Sequence, residues 1–371
     1  MKSICFITTG DIKRNAVAKR ALGMAVPLSN SGWKVHIIME NSEENHHRET
    51  LLNDKRVSFY YYPCSSVFKE IKAKKQILIT IKPTYIYLCA FVMRNIIPIH
   101  FKCKKFVEHS ELLSAVNHRS TIRKICDIIL EYYSIIYADG ILNASNYLQN
   151  VYTRRLKHLH FVKNKPMLYF PYAYNPNQMQ IKRNDFLPEF DLYKNKTVFI
   201  YLGTISKNYG IFTIIEATKK LKETYSDFCV IVLGYGKDYD RAVKLVNQYD
   251  LSKNVYMHGF IEEEYIADFF SLASAFISPM NDTIQDWARC PSKLYMYLPY
   301  KKPIITCRIG EPLATLKDKG LYYLPNNINS LKEQMEKIIN KKATRSNINP
   351  LLHTWETRTA TFNKWIDRYF Q

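Results

Sequence analysis

The feature that most constrains this chain is an alternation that runs, stops and begins again. Short apolar runs that read as strands (Ser3 to Thr8, Lys34 to Met39, Val57 to Tyr62, Tyr85 to Phe91, Lys105 to Glu108, Gly140 to Asn143) are separated by helical patterns such as Asn15 to Asn30 and Thr121 to Tyr137. Strands of this kind, buried on both faces and linked by helices, predict a doubly wound parallel sheet. From Phe170 to Pro188 the periodicity breaks, with Pro171, Pro176 and Pro188 among Asn and Tyr. The alternation then restarts with strands at Thr197 to Leu202, Phe228 to Leu233, Val255 to Gly259, Ala275 to Ser278 and Pro303 to Cys307. Helical patterns at Ile211 to Thr224, Tyr239 to Tyr249, Glu262 to Phe270 and Pro291 to Leu298 lie between them. The expectation is an α/β protein of two doubly wound domains in tandem, facing across a cleft. With 371 residues, the chain exceeds what one hydrophobic core usually supports.

Composition narrows the function classes. Hydrophobic residues make up 47% of the chain, enough for a core in each half. The eight cysteines are scattered without a metal-ligand spacing, so reduced thiols and a cytoplasmic location are expected, with no metal. The longest apolar run, Tyr85 to Met93, is far short of the ~20 residues of a spanning helix. The net charge is +20, with 24 Lys and Arg against 12 Asp and Glu before residue 160. Such a field attracts phosphorylated substrates or an anionic membrane surface. Nucleic acid is not expected, because no recognisable module accompanies the charge.

The loops after the second-half strands carry the candidate chemistry. Tyr201-Leu202-Gly203-Thr204 ends a strand and Gly210 precedes a helix, which puts the linking loop at the carboxyl edge where open sheets bind ligands. An ordinary strand-to-helix turn reads equally well for that loop; Gly234 and Gly236 close the next strand and allow close backbone approach, a weak signal by themselves. Pro291 stands where a helix begins, followed by Ser292 and Lys293, a hydroxyl and a cation at one anion-sized spot. In the first half, Glu108, His109 and Glu111 cluster at a strand end. Flanking carboxylates would stabilise a protonated His109, and satisfied structural polar groups are the alternative. A third cationic feature, Val67 to Lys75 with Lys102 to Lys105 and Arg154 to Lys157, suits either a peripheral face toward anionic lipid or an ordinary amphipathic surface.

In their order, Tyr201-Leu202-Gly203, Gly210-Ile211, Glu216-Ala217, Val232 to Gly236, His258-Gly259-Phe260, Ser278-Pro279, Pro291 to Leu294 and Lys302 to Ile305 resemble glycosyltransferase family 4, whose members are retaining and have the GT-B fold. The tail His353 to Arg358 resembles the family's terminal helix, which crosses back onto the first domain. The resemblance implies an acceptor domain at 1–172, a nucleotide-sugar domain at 173–349 and a returning helix at 350–371. It places the donor diphosphate at Gly203, Thr204, Lys207, Arg289, Ser292 and Lys293, and the nucleotide at Gly234, Gly236, His258, Gly259, Phe260 and Met296. Gly10 falls on the acceptor loop. The chain departs from the family at four points: the phosphate-binding Arg is Thr204, the Lys before the second glycine is Tyr209, and the carboxylate pair falls on Ala288 and Met296. Lys207, Arg289 and Lys293 are expected to restore the charge, and Asp286 or Glu311 the carboxylate. The implied activity is transfer of a sugar from a UDP- or GDP-sugar to a glycan, lipid-linked at the inner membrane face, in cell-surface polysaccharide synthesis, without a metal. The departures favour an alternative: a catalytically weak homologue that binds a glycan, a membrane or a partner.

Overall fold

The computed structural model describes residues 2–12, 17–97, 103–117, 119–179, 190–343 and 346–370. The chain divides into two compact units. The first holds residues 1–173 together with 288–290 and 354–371; the second holds 174–287 and 291–353.

In the first unit seven strands pair in parallel: β1 (Ser3–Ile7), β2 (Lys34–Glu40), β3 (Val57–Tyr62), β4 (Tyr85–Leu88), β5 (Lys104–His109), β6 (Gly140–Asn143) and β7 (Met167–Tyr169). Their order in the sheet is β3-β2-β1-β4-β5-β6-β7, with the reversal after β1 that defines a doubly wound sheet. Alternate residues face opposite sides. Cys5, Ile7, Ile86, Leu88, Val107 and Ile141 pack with Leu78, Ile135 and Leu148 from helices Val67–Ile81, Thr121–Tyr137 and Asn146–His158. Phe106 points the other way and meets Phe362 (5.9 Å) and Trp365 (5.2 Å) of the last helix, Trp355–Tyr369. That helix buries Trp355, Phe362, Trp365 and Ile366, and each large side chain so buried stabilises by about 1.5–3 kcal/mol.

The second unit has six parallel strands: β8 (Thr197–Leu202), β9 (Phe228–Leu233), β10 (Val255–Gly259), β11 (Ala275–Ser278), β12 (Ile304–Thr306) and β13 (Leu321–Tyr322). Their order is β10-β9-β8-β11-β12-β13. One face packs Phe199, Val230, Val232, Ile277 and Ile305 against helices Ile211–Lys222, Tyr239–Gln248 and Ile328–Ile339. On the other, Phe276 stacks on Tyr297 at 4.1 Å and meets Phe270 at 5.0 Å. Both sheets are therefore covered on both sides, which explains why their strands are continuous apolar runs rather than alternating ones.

The reading by periodicity differs from the structure at edges. β4 ends at Leu88 rather than Phe91. The first helix is described from Ala18, and residues 15 and 16 of its expected start lie outside the described residues. The short edge strands β7 and β13 escape a period-based reading because two or three residues do not show a period. Pro188, part of the expected connection, also lies outside the described residues. Residues 288–290 join the first unit for a local reason: Ser145 Oγ donates to Ala288 O (2.6 Å) and Tyr172 N to Cys290 Sγ (3.4 Å).

Candidate functional site

At the carboxyl edge of the second sheet three loops are tied together through their backbones. Gly203 N donates to Leu233 O (2.9 Å), Ile205 N to Tyr235 O (3.1 Å) and Gly234 N to Gly259 O (2.6 Å). Two glycines make this approach feasible. Gly234 has φ +136°, and a Cβ there would lie 2.0 Å from Gly203 O; Gly203 has φ +150°, and its Cβ would lie 3.1 Å from Lys293 Nζ. Gly234 and Gly236 thus permit close approach of the chain's own neighbouring loop. Lys293 Nζ also sits 4.1 Å from the Tyr201 ring centroid. A half-buried ammonium is so placed directly over the loop that leaves β8.

The loop itself is held from behind. Tyr201 Oη donates to Thr204 O (2.9 Å), and Lys207 N donates to Asp238 Oδ2 (2.8 Å). Asn281 Nδ2 donates to Asn208 O (2.6 Å), while Asn281 N donates to Asp286. Gly210 then opens the helix Ile211–Lys222, long enough to present a full turn of N–H groups. Ser292 begins a helix of only six residues, Ser292–Tyr297. Thr204 and Lys207 are exposed.

Four residues expected at the donor site are buried. Asp286 is buried and serves Asn281 N, and Glu311 is fully buried and accepts from Tyr295 Oη at 2.9 Å. Neither carboxylate is placed for a sugar hydroxyl, because each is enclosed by the unit's own groups. Met296 is buried in the short helix, and Arg289, also buried, is grouped with the first unit. At the base end, His258 Nε2 lies 3.1 Å from Tyr193 Oη, with its ring edge-on to Phe269. Gly259 ends β10 and Phe260, just beyond it, is 43% exposed. The sequence reading missed Tyr235, which sits between the two glycines, is 59% exposed and packs on Tyr239 at 4.8 Å. Its signal was present: an aromatic residue inside a glycine-flanked carboxyl-edge loop.

In the first unit, Glu108 and His109 prove to be core groups. Glu108 Oε1 pairs with the fully buried Arg20 at 2.7 Å, and Tyr87 Oη donates to Oε2 at 3.1 Å. The Arg20 guanidinium lies 4.7 Å from the Phe170 ring, 4.8 Å from Tyr172 and 5.7 Å from Trp355. Burial pushes the Glu108 carboxyl upward against the pull of Arg20. His109 stacks on Tyr152 at 3.8 Å, and its Nε2 lies 3.0 Å from Ser134 Oγ. Ser134 gives its hydroxyl proton to Glu131 O, so His109 Nε2 carries the hydrogen and donates. Burial, then the charge of Arg155, lowers the His109 pKa to about 3. The expected stabilised imidazolium is overturned: burial and the nearby Arg155 both disfavour it, and Glu108 is committed to Arg20. Glu111 is exposed just past the strand. Gly10, with φ +75°, is fixed by Tyr62 Oη, which accepts from Gly10 N (3.2 Å), and by Asn45 Oδ1, which accepts from Ile12 N (3.1 Å).

Among the described residues no group of three His, Cys, Asp or Glu could hold a metal ion, and no helix is long and apolar enough to cross a membrane. Residues 182–350 match the family model described as Glycosyl transferases group 1. The match falls almost wholly on the second unit. A curated relative, an uncharacterized glycosyltransferase of Methanocaldococcus jannaschii, is 26% identical over 204 residues, which is 52% of this chain and 47% of the relative. The chain thus spans about half the length of that relative. Among solved structures, sucrose-phosphate synthase from Thermosynechococcus elongatus matches with a TM-score of 0.77 and 16% identity, over 100% of this chain and 99% of that one. Anabaena HepE, solved in complex with UDP and glucose, matches with a TM-score of 0.71 and 14% identity, over 99% and 98%. The fold is the GT-B one, two parallel-sheet Rossmann-like domains.

Proposed function

We propose that this chain transfers a sugar from a nucleoside-diphosphate donor, UDP- or GDP-linked, to a lipid-linked glycan in cell-surface polysaccharide synthesis, with the retention of configuration that membership of family 4 would bring. The observation that carries the reading is Lys293, whose ammonium lies over the glycine loop at the end of β8. Cleaving the sugar C1–O bond leaves negative charge on the departing diphosphate. A fixed ammonium, with the N–H groups opening the helix Ile211–Lys222, stabilises that charge as it develops. Tyr235 and Phe260 offer exposed rings for the base, with His258 beside them. Gly10 belongs to the acceptor side. That HepE, a protein of the same fold, was solved with UDP and glucose supports a uridine donor.

Calorimetry with a panel of UDP- and GDP-sugars tests this. At least one donor should bind the wild type, and Lys293→Ala should weaken it about tenfold or more. Absence of binding by every donor would overturn the reading. The engagement of Asp286 by Asn281 and of Glu311 by Tyr295 favours a second reading, a weak homologue that binds a glycan or partner. Turnover of any donor, slow hydrolysis included, counts against it.

A further inference from the structure

Beside Ile135, the helix Thr121–Tyr137 buries charged and polar side chains and leaves an apolar stripe outside. Its buried positions include Asp127, Glu131 and Ser134, while Ile122 (77%), Ile125 (53%), Ile129 (62%), Tyr133 (42%) and Ile136 (44%) are exposed. Their spacing of three and four places them in one stripe, about 20 Å long from the first to the last. The inward acidic groups are paired with cations. Asp127 is bound by Arg119 and lies 3.5 Å from Arg123; Glu131 accepts from Ser114 N and Oγ and pairs with Arg155 at 2.8 Å. Rolling the helix to hide the isoleucines would break all of these contacts, so the apolar stripe is a built feature of the fold. Scattered exposed apolar residues are ordinary; an aligned stripe of this length is a docking surface.

The surface continues beyond the helix. Phe161 is 77% exposed on the loop that follows the helix Asn146–His158. That loop is moored to the end of the stripe: Lys165 Nζ donates to Ile136 O at 3.1 Å and to Ala138 O, and Tyr132 Oη lies 3.3 Å from His158 Nδ1. Between residues 119 and 165 there are eight Lys and Arg against three acidic residues. The three acids, Asp127, Glu131 and Asp139, are each ion-paired, and Arg154, Lys157 and Lys163 are exposed.

We propose that this face, the stripe on Thr121–Tyr137 with Phe161 and the surrounding cations, seats the protein on the interface of an anionic lipid bilayer. An apolar stripe flanked by cations lies in the headgroup plane, its isoleucines among acyl chains and its cations against phosphate. The helix is too short to span. Charge decides against a second copy as the occupant, since each copy would bring the same basic surroundings and the same net charge of +20. The inference stands apart from the sugar-transfer reading, because it uses none of the residues assigned to donor or acceptor.

The test is co-sedimentation of the full chain with vesicles of phosphatidylcholine mixed with phosphatidylglycerol, and with phosphatidylcholine alone. The wild type should pellet with the anionic vesicles, and less so as salt rises. Ile125→Ser with Ile129→Ser should cut the bound fraction about tenfold while leaving the unfolding midpoint and the particle size unchanged. Should that pair unfold the protein, Phe161→Ser on the loop reads the same face and should lower binding several-fold. Lys157→Glu with Lys163→Glu should abolish the preference for anionic lipid. The proposal is overturned if the wild type stays in the supernatant, or if a foldable stripe variant binds as the wild type does. It is also overturned if the stripe variant converts a dimer to a monomer with no vesicle binding, which assigns the face to a second copy.

Discussion

The ends of β5 and of β8 are topologically similar places put to opposite uses. Each lies at the carboxyl edge of a doubly wound sheet, and each carries polar residues in the sequence. At β5 the polar side chains turn inward, Glu108 to Arg20 and Tyr87, and His109 to Ser134 and Tyr152. At β8 the side chains are absent or small, backbone fills the space, and a cation from a later helix arrives over the loop. Charge at a strand end serves the fold when it meets a buried partner. At β8 the charge comes from a later helix and lies over a glycine loop.

The comparison can be broken most forcefully at Glu108. Glu108→Ala strands the Arg20 charge among aromatic rings and should cost about 3–5 kcal/mol in denaturant unfolding. A loss under about 1 kcal/mol, within the range of an exposed pair, would mean that the strand end is not locked. Gly234→Ala comes next: its Cβ would overlap Gly203 O, and strain of about 1–3 kcal/mol should appear together with loss of donor binding. If only stability falls and binding persists, the β8 loop is scaffolding and the contrast fails.

His109 sharpens the contrast through pH. Its folded pKa, about 3, lies below the ordinary value of 6.5, so the unfolded chain takes up the proton more readily. Its contribution is complete above the unfolded pKa and is lost as pH falls toward the folded one, by at most about 1.4 kcal/mol per pH unit. His36, lowered to about 4 by burial and then by Lys34, adds in the same direction. His109→Gln should flatten the acid limb of the unfolding midpoint against pH; an unchanged slope would mean that His109 titrates normally. The smallest effect on stability belongs to Lys293→Ala. It should leave the melting temperature in place and weaken nucleotide-sugar affinity about tenfold, or about 1.4 kcal/mol. A large drop in melting temperature would place Lys293 with the structural charges of the first unit.

Much of the architecture was legible before any coordinates. Strand-helix alternation, its break near Phe170 and its resumption at Thr197 gave two parallel sheets, because burial on both faces demands continuous apolar runs. The carboxyl-edge loops with Gly203, Gly234 and Lys293 were legible too, since strand ends and glycines are local features. Glu108 and His109 were misread because their partners are remote: Arg20 is 88 residues away and Ser134 is 25. Glu311 looked available for the same reason, its partner Tyr295 lying 16 residues away.

What the sequence determined by itself is periodicity, and with it which residues share a face, where chains must turn and where charge accumulates. Only the tertiary structure decided which face turns inward. The helix Thr121–Tyr137 has the same pattern whichever way it is rolled. Arg119, Arg155 and Ser114 hold Asp127 and Glu131 on the inside, and so Ile122, Ile125, Ile129 and Ile136 are left to the outside. A period fixes relative positions around a helix axis; the absolute orientation is set by the neighbours that satisfy its buried charges.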